Sequence, residues 1–168
     1  MNSRSAKKVA LLGLCTALAL ILAYVEVLLP PLFSAIPGIK IGLPNIVIIF
    51  VIYKFGIPSA ATVSIIRIVA VSILFGNIMA FAYSISGAFL SLLLMSILYK
   101  SRKFSTVAIS IVGGVFHNVG QILMAMLLLD AAEIGYYLIV LSITGIISGT
   151  LVGLCAALII NRITKKLY

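Results

Sequence analysis

His117, Asn118 and Gln121 are polar side chains placed inside an apolar run from about Val107 to Leu129. They belong to the stretch Gly113-Gly114-Val115-Phe116-His117-Asn118-Val119-Gly120-Gln121, which contains the only His of the chain. A polar cluster at membrane depth is costly unless something satisfies it. At about 100° per residue, His117 and Gln121 fall ~40° apart on a helix, with Asn118 inside the same ~100° arc. Such a set can clamp one helix to another by hydrogen bonds, or it can wall a binding cavity. Spacing alone leaves both open. Gly113 and Gly114 remove bulk beside it, so a neighbouring helix or a ligand can come close.

Arg67 is the second residue with chemical potential. It lies mid-way through an apolar run, where an Arg costs ~2.5–3.5 kcal/mol on insertion scales. Glu26 is the only acidic residue within a span, so the two can pair. Arg67 can equally bind an anionic or carbonyl group of a ligand. Lys40 and Asn45 flank Ile41-Gly42-Leu43-Pro44, where Gly and Pro break the helix and leave backbone groups open to a ligand. Lys40 can also be a solvated loop charge. Other chemistries lack their residues. There is no Gly-x-x-x-x-Gly-Lys-Ser/Thr loop for ATP. The single Asp rules out an Asp-rich magnesium-diphosphate site. No Ser-His-Asp or Cys-His nucleophile set is present. One His is too few for a haem or zinc, so no metal and no cofactor is expected.

The elements that must position these residues follow from composition. The chain has 168 residues, 64% of them hydrophobic and 9% charged, with a mean hydropathy of +1.35. Soluble domains carry roughly 25% charged residues, so this is an all-α integral membrane protein, one transmembrane domain over 1–168. Six spans are predicted, at about 9–29, 41–54, 57–75, 78–99, 106–129 and 136–160. The first is ~21 residues, long enough to cross and longer than a signal peptide's apolar core. Leu12-Gly13-Leu14-Cys15 superficially resembles a lipoprotein cleavage site, but Leu14 is too large for the residue before the cut. The second span is short and carries Pro44. Cys15 and Cys155 both fall in apolar runs and read as packing residues.

The net charge of +9 reads as a topology signal and not as nucleic-acid binding. With both termini in the cytoplasm, all but two of the 12 Lys and Arg residues lie inside. The exceptions are Lys40, outside, and Arg67, within a span. Glu26, Asn45, Arg67, His117, Asn118 and Gln121 then fall in the middle to outer half of separate spans, with Asn77 at an outer turn. Their convergence on one level predicts an outward-facing cavity for a small molecule. Cys15, Ala19 and Ala23 recur every four residues on the first span, and Gly145, Gly149 and Gly153 on the sixth. Such faces suit close helix packing, within the chain or against another subunit.

Pro37-Gly38-Ile39-Lys40-Ile41-Gly42-Leu43-Pro44-Asn45, Ile66-Arg67-Ile68 and the Gly113–Gln121 stretch resemble the signature blocks of a bacterial membrane family. It is labelled heptaprenyl diphosphate synthase component I or Gx transporter family. The start, with Ala19 to Ala23 and Glu26 ahead of Pro30-Pro31, is similar too, so the resemblance covers essentially the whole chain. Pro44 departs from it, standing where a small residue is expected. The family in turn is similar to the substrate-binding S components of energy-coupling-factor (ECF) transporters. That likeness implies a six-helix bundle in the bacterial plasma membrane, without enzymatic activity, capturing a small polar or anionic vitamin or cofactor precursor. Glu26, Lys40, Asn45, Arg67, Asn77, His117, Asn118 and Gln121 are the expected substrate-binding residues. Cys15, Ala19 and Ala23 would contact a coupling subunit driven by two ATPases. The alternatives are a membrane component of a flavin- or quinone-linked electron-transfer system, or a prenyl diphosphate synthase subunit. The last conflicts with the missing Asp-rich motifs.

Overall fold

The structure, a computed structural model, describes residues 3–28, 42–75 and 77–165, and the side chains of these between Ser5 and Arg162. They form six α-helices: α1 (Ser3–Leu28), α2 (Asn45–Phe55), α3 (Ile57–Phe75), α4 (Ile78–Ser101), α5 (Thr106–Leu129) and α6 (Tyr137–Lys165). A short 3-10 turn, Ala132–Tyr136, leads into α6. No strand occurs among the described residues. Polar side chains set several of the ends. The Asn77 side chain accepts from the Ala80 N–H at the start of α4, and Ser105 does the same for Ala108 at the start of α5. Arg102 and Asp130 close α4 and α5 in the left-handed conformation.

Five of the helices are long and apolar enough to cross a bilayer. The exception is α2, with 11 residues. At about 1.5 Å per residue it is roughly 16 Å long, half of a ~30 Å hydrocarbon core. The predicted second span therefore loses its first turn. Gly42 adopts φ +92°, a conformation helices do not use, and the helix begins only after Pro44. At its other end Gly56, also at positive φ, is the one residue between α2 and α3. The remaining predicted spans differ from the helices by extensions: α1 begins at Ser3, α4 runs on to Ser101 and α6 to Lys165.

The apolar core comes in two parts. The larger gathers Ala19, Val47, Ile48, Ile52, Val63, Met95, Ile109, Val152 and Ala156, toward the bundle end that carries the start of α1. The smaller gathers Tyr83, Ile122, Ala125 and Leu141 toward the opposite end. Between them α5 passes through glycines. A Cβ on Gly114 would lie 2.6 Å from the Gly145 carbonyl oxygen, and one on Gly149 would lie 2.7 Å from Cα of Ile111. The α6 glycine stripe therefore packs backbone to backbone on α5, inside the chain.

Two residues of the α1 stripe are also internal. Ala19 is 0% exposed and sits in the larger core beside α2 residues, and Ala23 is equally buried. Cys15 is half-buried. Ala19 and Ala23 thus face α2 and α3, which occupy the space that their small side chains leave.

Candidate functional site

The layer between the two core clusters is where the sequence put its polar residues. On α5, Ile109 belongs to the larger cluster and Ile122 to the smaller. His117, Asn118 and Gln121 lie between, all buried. On α4, Met95 and Tyr83 bound the same interval, which holds buried Gly87 and Ser91. Arg67, 6% exposed, enters from α3 and Glu26 from α1. Gly42 and Asn45 enter from the start of α2, so α1 to α5 each bring polar side chains or open backbone to one level.

Two groups form within it. In the first, the Gly42 N–H donates to a carboxylate oxygen of Glu26, which ties the entry of α2 to α1 across the sequence. Arg67 lies within Coulombic reach of Glu26, so α1, α2 and α3 meet around one carboxylate. Arg67 Nε is buried without a hydrogen-bond partner among the described residues. The pairing expected of Arg67 and Glu26 and a residual donor for a guest are thus both available at this point.

In the second, α4 and α5 cross at unusually short range. A Cβ on Gly87 would stand 2.7 Å from the His117 carbonyl oxygen and 3.0 Å from both Gln121 Cγ and His117 Nδ1. Gly120 presses on Gly87 from the other side, and Ser86 Oγ donates to the Gly120 carbonyl over 2.8 Å. Gln121 is 0% exposed, and neither its Nε2 nor its Oε1 has a hydrogen-bond partner among the described residues. An unsatisfied buried amide costs ~1–3 kcal/mol, which makes Gln121 the most demanding residue of the layer. His117 also faces the other group, since a Cβ on Gly42 would lie 3.9 Å from His117 Cδ2. It is the hinge between the two.

Two of the expected site residues are engaged elsewhere. Asn118 turns to α6, where its Nδ2 donates to the Leu141 carbonyl over 2.7 Å. It acts as the helix clamp that spacing had left open, although its Oδ1 stays buried and unpartnered. Asn77 is exposed and its side chain caps α4. Lys40 lies outside the described residues. Other members were not anticipated from sequence. Gly87 and Ser91 are two of them, legible in hindsight as part of a small-residue face with Ser84 on α4. Ser110 and Ser148 are two more. With Gly42, Asn45, Gly114 and Gly149 they line a narrow cleft of about 10 Å³ where α2 meets α5 and α6. By comparison, pockets for drug-sized ligands measure ~300–1,000 Å³. Ser110 Oγ is buried there without a partner. No group of His, Cys, Asp and Glu that could hold a metal occurs among the described residues.

The long apolar helices and the polar level enclosed between apolar cores define a multi-pass helical membrane protein with a polar intramembrane layer. A family model described as heptaprenyl diphosphate synthase component I matches residues 15–159. The chain belongs to that family, also termed the Gx transporter family. No curated protein and no solved structure is significantly similar to it.

Proposed function

We propose that this protein is the substrate-binding membrane subunit of an ECF-type transporter in the bacterial plasma membrane, with its termini on the cytoplasmic side. The observation that carries the reading is the polar level itself. Gln121, Arg67 Nε and Ser110 are buried in apolar surroundings with hydrogen-bonding capacity unspent. Polar groups kept at membrane depth at such cost mark substrate paths more often than structural contacts. The ligand is a small polar or anionic molecule of the vitamin or cofactor-precursor class. Arg67 meets its most electronegative group, and the Gln121 amide and His117 supply a donor and acceptors.

The chain has no phosphate-binding loop of its own, so translocation would be driven by partner ATPases through a coupling subunit. Since Ala19 and Ala23 are covered by the chain's own helices, that subunit would engage other surfaces. The reading is of a binder and not an enzyme: the diphosphate chemistry in the family's description requires clustered carboxylates, and the chain contains three acidic residues in all.

Native mass spectrometry of the protein purified from its own membrane should reveal a retained small molecule. For that molecule, Arg67→Ala and Gln121→Ala should each weaken binding at least tenfold, as loss of a buried charge-assisted or amide contact does. Unchanged affinity in both variants would remove the polar level from the binding site.

A further inference from the structure

α1, α2 and α6 leave an open groove between them, running from Ile46 at the start of α2 toward the bundle end that carries the start of α1. Its volume is about 360 Å³. Leu11, Leu14 and Leu18 line it from α1, Phe50 from α2 and Ile159 from α6, and Lys54 stands in its wall. Apart from Lys54, the lining residues are apolar, with Cys15 among them.

The basic residues around it are not scattered. Lys54 ends α2 and is exposed. Lys7 stands one turn before Leu11 on the same face of α1 as Leu14 and Leu18, because steps of four, seven and eleven residues return within ~40° of a starting point on a helix. Arg162 follows Ile159 by three residues on α6 and is exposed. All three helices thus place a cation just beyond their apolar contribution. No carboxylate answers them: the chain's three acidic residues, Glu26, Asp130 and Glu133, lie near the end of α1, at the end of α5 and in the 3-10 turn, at the opposite end of the bundle. Another groove, among the described residues, shows the contrast. Between α3 and α4, Ile65, Ile68, Ile85, Phe89 and Leu92 line a comparable apolar trough with no charged residue in it.

We infer that the α1–α2–α6 groove is a specific site for an anionic phospholipid, with an acyl chain lying along Leu11, Leu14, Leu18 and Phe50 and the headgroup phosphate at Lys54. An elongated apolar trough ending in a cationic rim matches a long-chain amphiphile with an anionic head, and a zwitterionic lipid offers the rim no net charge. The site is independent of the polar layer, so it stands or falls separately from the transport reading.

The chain contains no Trp, which gives a clean reporter. Phe50→Trp places one in the groove, and Phe89→Trp places one in the uncharged trough as a control. Each full-length variant is put into nanodiscs of equal phosphatidylglycerol and phosphatidylcholine, with brominated acyl chains on one lipid or the other. The expected result is that brominated phosphatidylglycerol quenches the Phe50→Trp reporter several-fold more than brominated phosphatidylcholine does. Phe89→Trp should show no preference. Adding Lys54→Gln should cut the preference about fivefold, the effect of one basic residue at a membrane surface. If Phe50→Trp does not fold, Phe55→Trp reports from the same wall. Equal quenching by the two lipids overturns the site. Absence of quenching by either also overturns it, because protein then covers the groove. Relief of quenching by micromolar farnesyl diphosphate would overturn the phospholipid in favour of a prenyl ligand of the same shape.

Discussion

Gln121 and Asn118 are neighbours on one arc of α5, yet their surroundings call for opposite responses to substitution. Asn118 is bonded to the Leu141 carbonyl, so Asn118→Ala should cost about 0.5–1.5 kcal/mol of stability, the usual scale of a hydrogen bond between membrane helices. It should leave ligand affinity nearly unchanged. Gln121 has two unsatisfied amide atoms at 0% exposure. Gln121→Leu removes the desolvated amide at nearly constant volume, so it should raise the thermal midpoint in detergent while abolishing binding. A fall in both stability and binding would instead make Gln121 a structural residue. Gly42 gives a third test. At φ +92°, with a Cβ position 3.0 Å from Asn45 Nδ2, Gly42→Ala should destabilise by more than about 1 kcal/mol. It should also loosen the tether to Glu26.

At the scale of elements, α5 is held from both sides by backbone contact, against α4 at Gly87 and Gly120 and against α6 at Gly114, Gly145 and Gly149. Gly149→Ala introduces a methyl 2.7 Å from Cα of Ile111, where only a shift of the whole helix makes room. A loss of about 1–3 kcal/mol is expected in thermal unfolding. The bounds of α3 and α5 were readable because Gly, Pro, Asn and basic residues bracket apolar runs of spanning length. The true start of α2 was not. Apolar length between Ile41 and Lys54 says nothing of backbone handedness, and Gly42 with Pro44 spends the first turn on an entry bend. In the site, residue types and depth identified Glu26, Arg67, His117 and Gln121 as companions. What spacing could not convey is which neighbour each side of α5 faces. That depends on α4 offering Gly87 and Ser91 and on α6 offering the Leu141 carbonyl, and none of these marks itself as polar chemistry in a sequence. The capping role of Asn77 is hidden for the same reason: an Asn beside a turn suits a helix cap as well as a binding site.

For the whole molecule, the division of charge makes orientation testable. In a Cys15→Ala, Cys155→Ala background, Lys103→Cys should react with an impermeant maleimide in inverted vesicles and not in intact cells. Glu133→Cys should react in intact cells. The reverse pattern would invert the proposed topology. The short α2 also bears on how the protein is made. An 11-residue helix is too brief to be accepted by the insertion machinery as a crossing segment by itself, and only Gly56 separates it from α3. Its entry into the bilayer must therefore wait until α3 has been synthesised, the two going in as a single hairpin. The contact of Gly42 with Glu26 would form only after that, as a late step of biogenesis rather than a property of the emerging chain.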